Sequence, residues 1–367
     1  MRSREIKIII LALLLIAIGL FSIYSATISR LIGKNLSPFL FVERQLTAFF
    51  IGSILFLMLL SFPYRAWERL WFVIYLLNLI LLIAVLFFGR ESLGAQRWFS
   101  IFGFSFQPSE LSKLFIVLSF SGYFCELRKK KEELGIKEFF FSGFLLLLTF
   151  LFVFLQPDLG TSIIIALTGF FLFILGGVPK RYILKSLMIF LLFLPFFWFL
   201  LKPYQQQRII TFLNPSKDPL GSGYQVLQGL IAIGSGKIFG KGWLSGQQTH
   251  LNLIPEQHTD FIFTVIGEEF GFIGGIILLV IYYLLFYYSW QVYVNAVDDF
   301  GRFLAGGILF NWVIQTFINI AMVLGLLPVV GVPLPFVSFA RTSLIANLMM
   351  LSFVINISLR SEKTIYG

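Results

Sequence analysis

One acidic residue, Asp260, lies where a long polar segment meets an apolar stretch of membrane-spanning length, in the sequence IPEQHTDFIFTVIGEEFGFIGG. Holding an ionisable side chain at the mouth of a membrane helix costs free energy, so Asp260 is a candidate functional group. His258 and Glu256 precede it, Lys237 and Lys241 lie slightly earlier, and neither a cysteine cluster nor a zinc-ligand spacing accompanies them. This combination favours proton abstraction beside bound anionic groups at a membrane surface.

The composition places these residues in an integral membrane protein. Of the 367 residues, 58% are hydrophobic and 13% are charged, and the mean hydropathy is +0.90, whereas soluble domains carry about 25% charged residues. A net charge of +10 would indicate nucleic-acid binding in a soluble protein. Here membrane topology accounts for it, and no nucleic-acid partner is expected. A single cysteine, Cys125, excludes a disulfide framework and a thiolate metal site.

Ten apolar stretches come close to the ~20 residues that a bilayer core requires. The first is too long for the apolar region of a signal peptide, so it is expected to remain as a membrane span. Most lysines and arginines fall on alternate short connections, which predicts that both termini are cytoplasmic. The predicted spans are 7–27, 38–61, 68–88, 109–126, 139–156, 159–176, 183–201, 262–288, 301–324 and 338–358.

These stretches predict an all-α fold, in which residues 1–367 form one polytopic membrane domain with ten transmembrane helices. A long extracytoplasmic loop, residues 202–260, is expected between spans 7 and 8. Within it, residues 204–213 and 224–233 are typical of short interfacial helices, because each combines apolar residues with polar ones and Asn214-Pro215 separates them. A loop of this length with its own helices is usually functional.

A second polar group lies in residues 94–114, GAQRWFSIFGFSFQPSELSKL, where an aromatic run typical of a membrane interface leads into span 4. Glu110 and Lys113 are three residues apart and therefore share one face of that helix. Either they neutralise each other as a structural pair, or Glu110 orients Lys113 and Arg97 toward an anionic head group. In the turn QPDLGTS, Asp158 is expected to cap span 6.

The glycine-rich segment GSGKIFGKG, residues 234–242, does not fit the phosphate-binding motif G-x-x-x-x-G-K-[ST], because Gly242 replaces the Ser or Thr. Flexible backbone N–H groups and two lysines can still cradle a diphosphate. The alternative is a glycine hinge whose Lys237 and Lys241 are solvated at the interface. Within span 8, Glu268 either relays protons from Asp260 or is the buried partner of another polar group.

Six stretches follow one another along the chain: GAQRWFSIFGFSFQPSELSKL, QPDLGTS, GYQVLQGLIAIGSG, GKGWLSGQQT, IPEQHTDFIFTVIGEEFGFIG and LPVVGVPLPFVS. Together they resemble the SEDS family of shape, elongation, division and sporulation proteins, and PEQHTDFIF and GVPLP are closer to its elongation branch than to its division branch. The resemblance extends in order over nearly the whole chain. It implies a ten-span peptidoglycan glycosyltransferase that polymerises lipid II at the outer face of the bacterial inner membrane. It also implies a class B penicillin-binding protein as an activating partner, within an elongation complex.

Two positions depart from the family pattern. The family generally has two glycines after LPFVSY, where this chain has Ala340-Arg341, and Lys237 interrupts a glycine pair in the family's GSGG turn. Both changes place a cation near the expected site. We expect them to reshape the cavity entrance or to add contacts with a lipid head group.

The resemblance matches Asp260 to the family's key aspartate. Transfer from a lipid diphosphate needs the acceptor hydroxyl to be deprotonated, which one carboxylate can do, and the leaving diphosphate needs cationic stabilisation. By the same argument a divalent cation, Mg²⁺ or Mn²⁺, is plausible at the diphosphate, and no organic cofactor is expected. The predicted substrate-binding residues are Arg97, Glu110, Lys113, Arg208, Lys237, Lys241 and His258.

The competing interpretation is a lipid II flippase, for which ten spans and intramembrane charges would also be suitable. A flippase is expected to distribute charged groups through the bilayer. Arg97, Lys237, Lys241 and Asp260 instead gather on the predicted outer side, which favours the enzyme. Two further interpretations are a member of the division branch with the same chemistry and a scaffold for wall synthesis.

Overall fold

The computed structural model describes residues 3–92, 95–101, 104–130, 135–201, 203–213, 222–251 and 253–361. Over these residues the chain is almost entirely helical, and a 3₁₀ helix, Tyr64–Leu70, precedes the third α-helix. The α-helices are α1 (Ser3–Ile32), α2 (Leu40–Ser61), α3 (Trp71–Phe88), α4 (Pro108–Lys129), α5 (Ile136–Leu155), α6 (Leu159–Gly176), α7 (Lys180–Leu200), α8 (Pro203–Leu213), α9 (Ser222–Ser235), α10 (Gln247–His250), α11 (Ile262–Val294), α12 (Asp299–Val323) and α13 (Arg341–Ser361).

The long helices confirm an all-α, polytopic membrane fold. Within the described residues, eight are long and apolar enough to cross a membrane: α1, α2, α3 with its 3₁₀ turn, α5, α6, α11, α12 and α13. α4 and α7 coincide with the two other predicted spans, so the count of ten stays a prediction. α4 is more polar than the rest because it packs between α3, α6 and α12, where most of its side chains are buried in protein.

Local sequence explains several helix ends. Pro108 is the first residue of α4, where its missing N–H costs nothing. The side chain of Asp158 accepts from the Thr161 amide at 3.2 Å, so the predicted cap of α6 is confirmed. Asp298 caps α12 in the same way, through the Gly301 amide at 2.7 Å.

Successive long helices alternate in direction, which gives the bundle two ends. The first, called here the terminal end, holds the start of α1, the end of α13 and residues 62–70, 126–130 and 295–299. Arg4 meets Ser358 there, and Arg65 meets Asp298. The opposite end, called here the Asp260 end, holds the loop before α2, the described residues within 89–107 and 203–261, and residues 324–340.

The aromatic run before α4, expected as an interfacial belt, forms a small antiparallel sheet of three strands. These are β1 (Arg90–Ser92), β2 (Ala95–Ile101) and β3 (Phe104–Phe106). Phe99 pairs with Phe106 and Ile101 pairs with Phe104. Aromatic and β-branched residues are good strand formers, and this sheet packs against α3, α4 and α13 at the Asp260 end.

α11 is broken at Gly271, where φ is +66° and ψ is −160°. The segment that follows α9, residues 236–242, fills the break, and a Cβ atom on Gly271 would lie 2.3 Å from the Gly240 amide nitrogen. The backbone groups freed by the break therefore find partners within the protein, as the membrane interior requires. Four amide-to-carbonyl hydrogen bonds join the two segments: Phe272 to Lys237 (2.8 Å), Ile273 to Ile238 (3.1 Å), Lys241 to Glu268 (3.0 Å) and Gly242 to Glu269 (2.9 Å).

Candidate functional site

Asp260 lies just before α11, and α12 holds its backbone in place. The side-chain amide of Asn319 donates to the carbonyl oxygen of Asp260 at 2.9 Å and to that of Val332 at 2.7 Å. One amide thus joins the loop before α11 to the segment 327–338. A Cβ atom on Gly331 would lie 3.4 Å from Asp260 Oδ2, and the φ of +74° at that position favours glycine. Glycine therefore keeps the space beside the carboxylate open.

The Asp260 carboxylate is enclosed by protein but keeps partial access to solvent. Burial raises the pKa of Asp260 to about 6; the charge of Arg208 opposes this effect, and those of Asp158 and Glu256 reinforce it. Among the described residues, none donates a hydrogen bond to this carboxylate. The group is therefore ionised at neutral pH and still basic enough to accept a proton from a bound substrate.

Arg208, in α8, is the cation that acts most strongly on Asp260. Its guanidinium donates to the carbonyl oxygen of Val329 at 3.0 Å, in the loop that leads to Gly331. A small cavity of about 40 Å³ lies beside it, lined by residues of α8, α9 and the segment 325–329. The structure therefore brings this predicted substrate-binding residue close to Asp260.

Arg97 and Asp158 hold the turn between α5 and α6. Arg97 donates from Nε to the carbonyl oxygen of Gln156 at 2.7 Å and from a second nitrogen to that of Pro157. The Asp158 carboxylate accepts from the Gln107 amide at 2.8 Å and from the Ser109 hydroxyl at 2.9 Å. Arg97 thus braces the backbone of the turn that carries Asp158. Its predicted contact with an anionic head group stays a prediction.

Glu110 and Lys113 form a buried ion pair, with 2.7 Å between Lys113 Nζ and Glu110 Oε2. Lys113 also donates to Gln315 Oε1 in α12 at 3.0 Å. Side-chain exposure is 2% for Lys113 and 5% for Glu110, so both charges are neutralised inside the bundle. This geometry favours the structural pair among the two interpretations, and a substrate contact stays a prediction for both residues.

Lys237 and Lys241 lie at the break in α11 rather than beside Asp260. Phe272, which bonds to the backbone of Lys237, is ten residues beyond Ile262, or about 15 Å along the helix axis. Lys241 pairs with Glu268 at 2.7 Å. The Lys237 side chain is exposed. A diphosphate contact remains a prediction for both lysines, but the structure does not bring them to the group around Asp260.

The sequence left two interpretations of Glu268, a proton relay from Asp260 or a buried partner of other polar groups, and the structure favours the second. Besides Lys241, it accepts from the amides of Gln248 and Thr249 at 2.9 and 3.0 Å and from the Thr249 hydroxyl at 2.8 Å. These contacts fix the first turn of α10. Four donors around one carboxylate leave it poorly suited to pass protons.

His258 belongs to an aromatic cluster. Its ring centroid lies 4.6 Å from that of Phe41 and 5.4 Å from that of Phe339, and its backbone carbonyl accepts from the Phe339 amide at 2.9 Å. Burial lowers the pKa of His258 to about 4, so the imidazole is neutral at physiological pH. It packs the loop before Asp260, and its predicted substrate contact would have to be that of a neutral ring.

The described residues do not form a metal centre by themselves. No group of three or more His, Cys, Asp or Glu side chains in this part of the chain is arranged to hold a metal ion. Asp158 is already occupied as a cap, whereas the Asp260 carboxylate keeps open oxygen positions among the described residues. The divalent cation therefore stays a prediction that diphosphate oxygens would have to complete.

Two residues that contact Asp260 were not predicted from the sequence: Asn319 and Gly331. Asn319 is a polar residue within the predicted span 301–324, and such residues in membrane helices often mark functional contacts. That signal was available in the sequence. The role of Gly331 depends on a neighbour from a distant segment, which a single sequence does not show.

Comparisons with known proteins agree over the whole length of the chain. Residues 5–363 match the family described as cell cycle protein, which groups FtsW, RodA and SpoVE. Peptidoglycan glycosyltransferase MrdB of Escherichia coli is 40% identical over 323 residues, covering 88% of this chain and 86% of the relative. Stage V sporulation protein E of Bacillus subtilis is 35% identical over 363 residues, covering 97% of each chain.

Solved structures give the same result. The crystal structure of the rod shape determining protein RodA of Thermus thermophilus is similar with a TM-score of 0.71 and 26% identity, over 97% of this chain and 96% of that one. A chain from a structure described as coordinating polymerisation and crosslinking in a peptidoglycan synthase complex has a TM-score of 0.80 and 28% identity, over 97% and 98%. This chain therefore belongs to the FtsW, RodA and SpoVE family, and it is a membrane-embedded peptidoglycan glycosyltransferase.

Proposed function

We propose that the chain polymerises lipid II into glycan strands at the outer face of the bacterial inner membrane, with Asp260 as general base. One observation carries this proposal: the enclosed Asp260 carboxylate, whose pKa burial raises to about 6, has no hydrogen-bond donor among the described residues and lies within reach of the charge of Arg208. A general base works best when its pKa lies near the working pH and its lone pairs are open.

The proposed step is a single displacement. The acceptor sugar hydroxyl attacks the anomeric carbon of the donor, a new C–O bond forms, and the hydroxyl proton passes to Asp260. The bond between that carbon and the diphosphate oxygen breaks, and its electron pair leaves with the diphosphate. Diphosphate is a weak base, so no second carboxylic acid is needed, unlike in glycosidases.

The other predicted site residues take different roles, according to where they lie relative to Asp260. Arg208, beside Asp260, is placed to stabilise the charge that develops on the leaving diphosphate. Arg97 positions the turn that carries Asp158. The Glu110–Lys113 pair shapes the wall of the site as a neutral unit. Lys237 and Lys241 act at the break in α11.

Topology and partner complete the proposal. The ten long helices act as ten spans, both termini are cytoplasmic, and the Asp260 end faces outward, because most basic residues lie on connections of the terminal end. The similar chain from a peptidoglycan synthase complex supports a class B penicillin-binding protein as partner. The 40% identity to MrdB supports a role in the elongation complex.

The test is a gel assay for glycan chains, with purified protein, its cognate penicillin-binding protein carrying an inactivated transpeptidase serine, and lipid II. We expect Asp260→Asn to lose roughly 10²- to 10⁴-fold in polymerisation, because asparagine keeps the size but accepts no proton. Asp298→Asn is the matched control at the terminal end, since asparagine also caps helices well.

Chains from wild type and Asp298→Asn, but not from Asp260→Asn, would support the assignment. Normal ladders from Asp260→Asn would overturn it. If none of the three made chains although the complex was intact, a flippase would become the better explanation. Lipid II translocation in vesicles would then be measured.

A further inference from the structure

Two arginines meet at the Asp260 end without a carboxylate between them. Arg44 lies in α2, close to the start of the helix, and Arg341 is the first residue of α13. The Arg341 guanidinium lies over the Phe104 ring at 4.9 Å, and that of Arg44 lies 6.0 Å from the centroid of Phe41. α2 and α13 pack against each other, and the charge of Arg44 acts unfavourably on that of Arg341. Like charges held together in this way favour the binding of an anion.

No ion pair within the described residues neutralises either arginine. Three other cations at this end do have acidic partners: Arg30 lies 3.6 Å from Glu256, Lys113 pairs with Glu110, and Lys241 pairs with Glu268. Arg341 is moreover half-buried, so water screens its charge incompletely. The Phe104 ring holds the guanidinium of Arg341 in place, and a group held in place binds an anion with less loss of conformational freedom.

The arginine pair forms a wall of the site that differs from the one carrying Arg208. The Phe41 ring packs against Phe339 at 5.0 Å and against His258 at 4.6 Å, two residues before Asp260. Thr342, next to Arg341, accepts from the Gln107 amide at 3.0 Å. Arg44 and Arg341 therefore stand where α2, α13 and β3 meet, whereas Arg208 belongs to the wall formed by α8 and α9.

The height of the pair within the bundle points to a phosphate group of a lipid. Both arginines lie at the starts of membrane-spanning helices, the level at which lipid phosphates lie. A peptide carboxylate of the substrate would project further from the membrane.

We infer that Arg44 and Arg341 bind the diphosphate of the lipid-linked acceptor sugar, a conclusion that rests on the proposed function. The donor's diphosphate is attached to the carbon under attack and must lie beside Asp260 and Arg208. The acceptor's diphosphate stays intact at the other end of its sugar unit, so it needs a separate cationic site. Two guanidinium groups match its oxygens by paired hydrogen bonds. Arg341 stands where the resemblance to the family leads us to expect glycine, so this contact is a property of this chain.

The test measures steady-state polymerisation by the complex with its penicillin-binding protein, at varied lipid II concentration. Arg341→Gly and Arg44→Gln should each raise KM about tenfold, the loss expected for hydrogen bonds to a charged group. kcat should stay within about twofold, because the groups at the breaking bond are untouched. Arg341→Lys keeps the charge but not the paired geometry, and an intermediate KM is expected. Arg65→Ala at the terminal end, an exposed arginine, is the control and should change neither constant.

Binding of lipid II is measured separately, by crosslinking to the complex that carries Asp260→Asn. Because this measurement does not need turnover, its outcome tests the arginine site even if Asp260 is not the general base. Lipid II carrying a photoreactive group should crosslink to the α2–α13 wall, and Arg341→Gly should reduce that crosslink about tenfold. Unchanged KM and crosslinking in both arginine variants would overturn the inference. So would competition by phosphatidylglycerol at equal mole fraction, which would identify a phospholipid site, or loss of the effect with lipid II whose peptide carboxylates are amidated.

Discussion

The two ends of the helix bundle differ in which of their charges find partners within the protein. At the terminal end, cations and carboxylates pair across helices: Arg65 with Asp298, Arg128 with Asp299, Lys129 with Glu68 and Lys130 with Glu126. At the Asp260 end, the central carboxylate receives no hydrogen bond from the described residues, and Arg44 and Arg341 have no acidic partner among them. Charges that hold the fold are neutralised by the protein, whereas charges reserved for a substrate are left for the substrate to neutralise.

The largest effect is expected at the buried pair Glu110–Lys113. It lies at the Asp260 end, but because its charges neutralise each other we expect it to stabilise the fold rather than to bind substrate. Lys113→Met should destabilise the protein by about 3–5 kcal/mol, since it leaves Glu110 buried and uncompensated. The double variant Glu110→Gln with Lys113→Met should recover most of that loss. Thermal unfolding in detergent measures both. If Lys113→Met kept full stability but bound lipid II poorly, the pair would belong with the substrate charges instead.

Removing one arginine from each end should give unequal effects. Arg208→Ala should lower kcat about 100-fold, because a cation beside the breaking bond stabilises the transition state. Arg65→Ala removes an exposed arginine whose pair with Asp298 contributes at most about 1 kcal/mol, and it should leave kcat unchanged. Turnover and thermal stability are compared for both variants. Equal losses of activity would contradict the division between the ends.

The raised pKa of Asp260 predicts a pH profile. A base must be deprotonated to act, so the rate should fall about tenfold per pH unit below about 6 and level off above it. Asp298→Asn should leave this profile in place, because its carboxylate lies at the other end. Initial rates between pH 5 and 8 give the profile. An inflection near pH 4 would mean that burial does not control the titration of Asp260.

The smallest difference between the two ends is expected at two glycines with positive φ, Gly331 and Gly177. Gly331→Ala and Gly177→Ala each place a side chain at a positive φ, which costs about 1–2 kcal/mol of stability. Gly331 also lies against Asp260, so its variant should lose a further few-fold in rate, whereas Gly177, which ends α6 at the terminal end, should not. Rates corrected for the folded fraction separate the two effects. A similar loss of rate in both would show that only stability matters.

Much of this arrangement is readable from the sequence, because long apolar runs and helix caps are local signals. The positions of the long helices, the Asp158 cap and the short helices α8 and α9 follow from such patterns. The break in α11 does not, since it depends on how residues 236–242 meet a helix that begins 20 residues later. The separation of Lys237 and Lys241 from Asp260 has the same origin. Because Lys237 and Lys241 are close to Asp260 in the sequence, they were expected to share one site with it, but the fold places them at the break in α11.

The break in α11 also bears on the order in which the protein is assembled. Residues 236–242 precede α11 in the chain, so they leave the ribosome first and are present when Gly271 enters the membrane. An exposed break would leave amide and carbonyl groups facing hydrocarbon, at several kcal/mol each. Residues 236–242, which bond to the backbone at the break, are therefore synthesised before the break itself. A circular permutation that reversed this order would expose α11 to misfolding during insertion, even with every native contact still encoded.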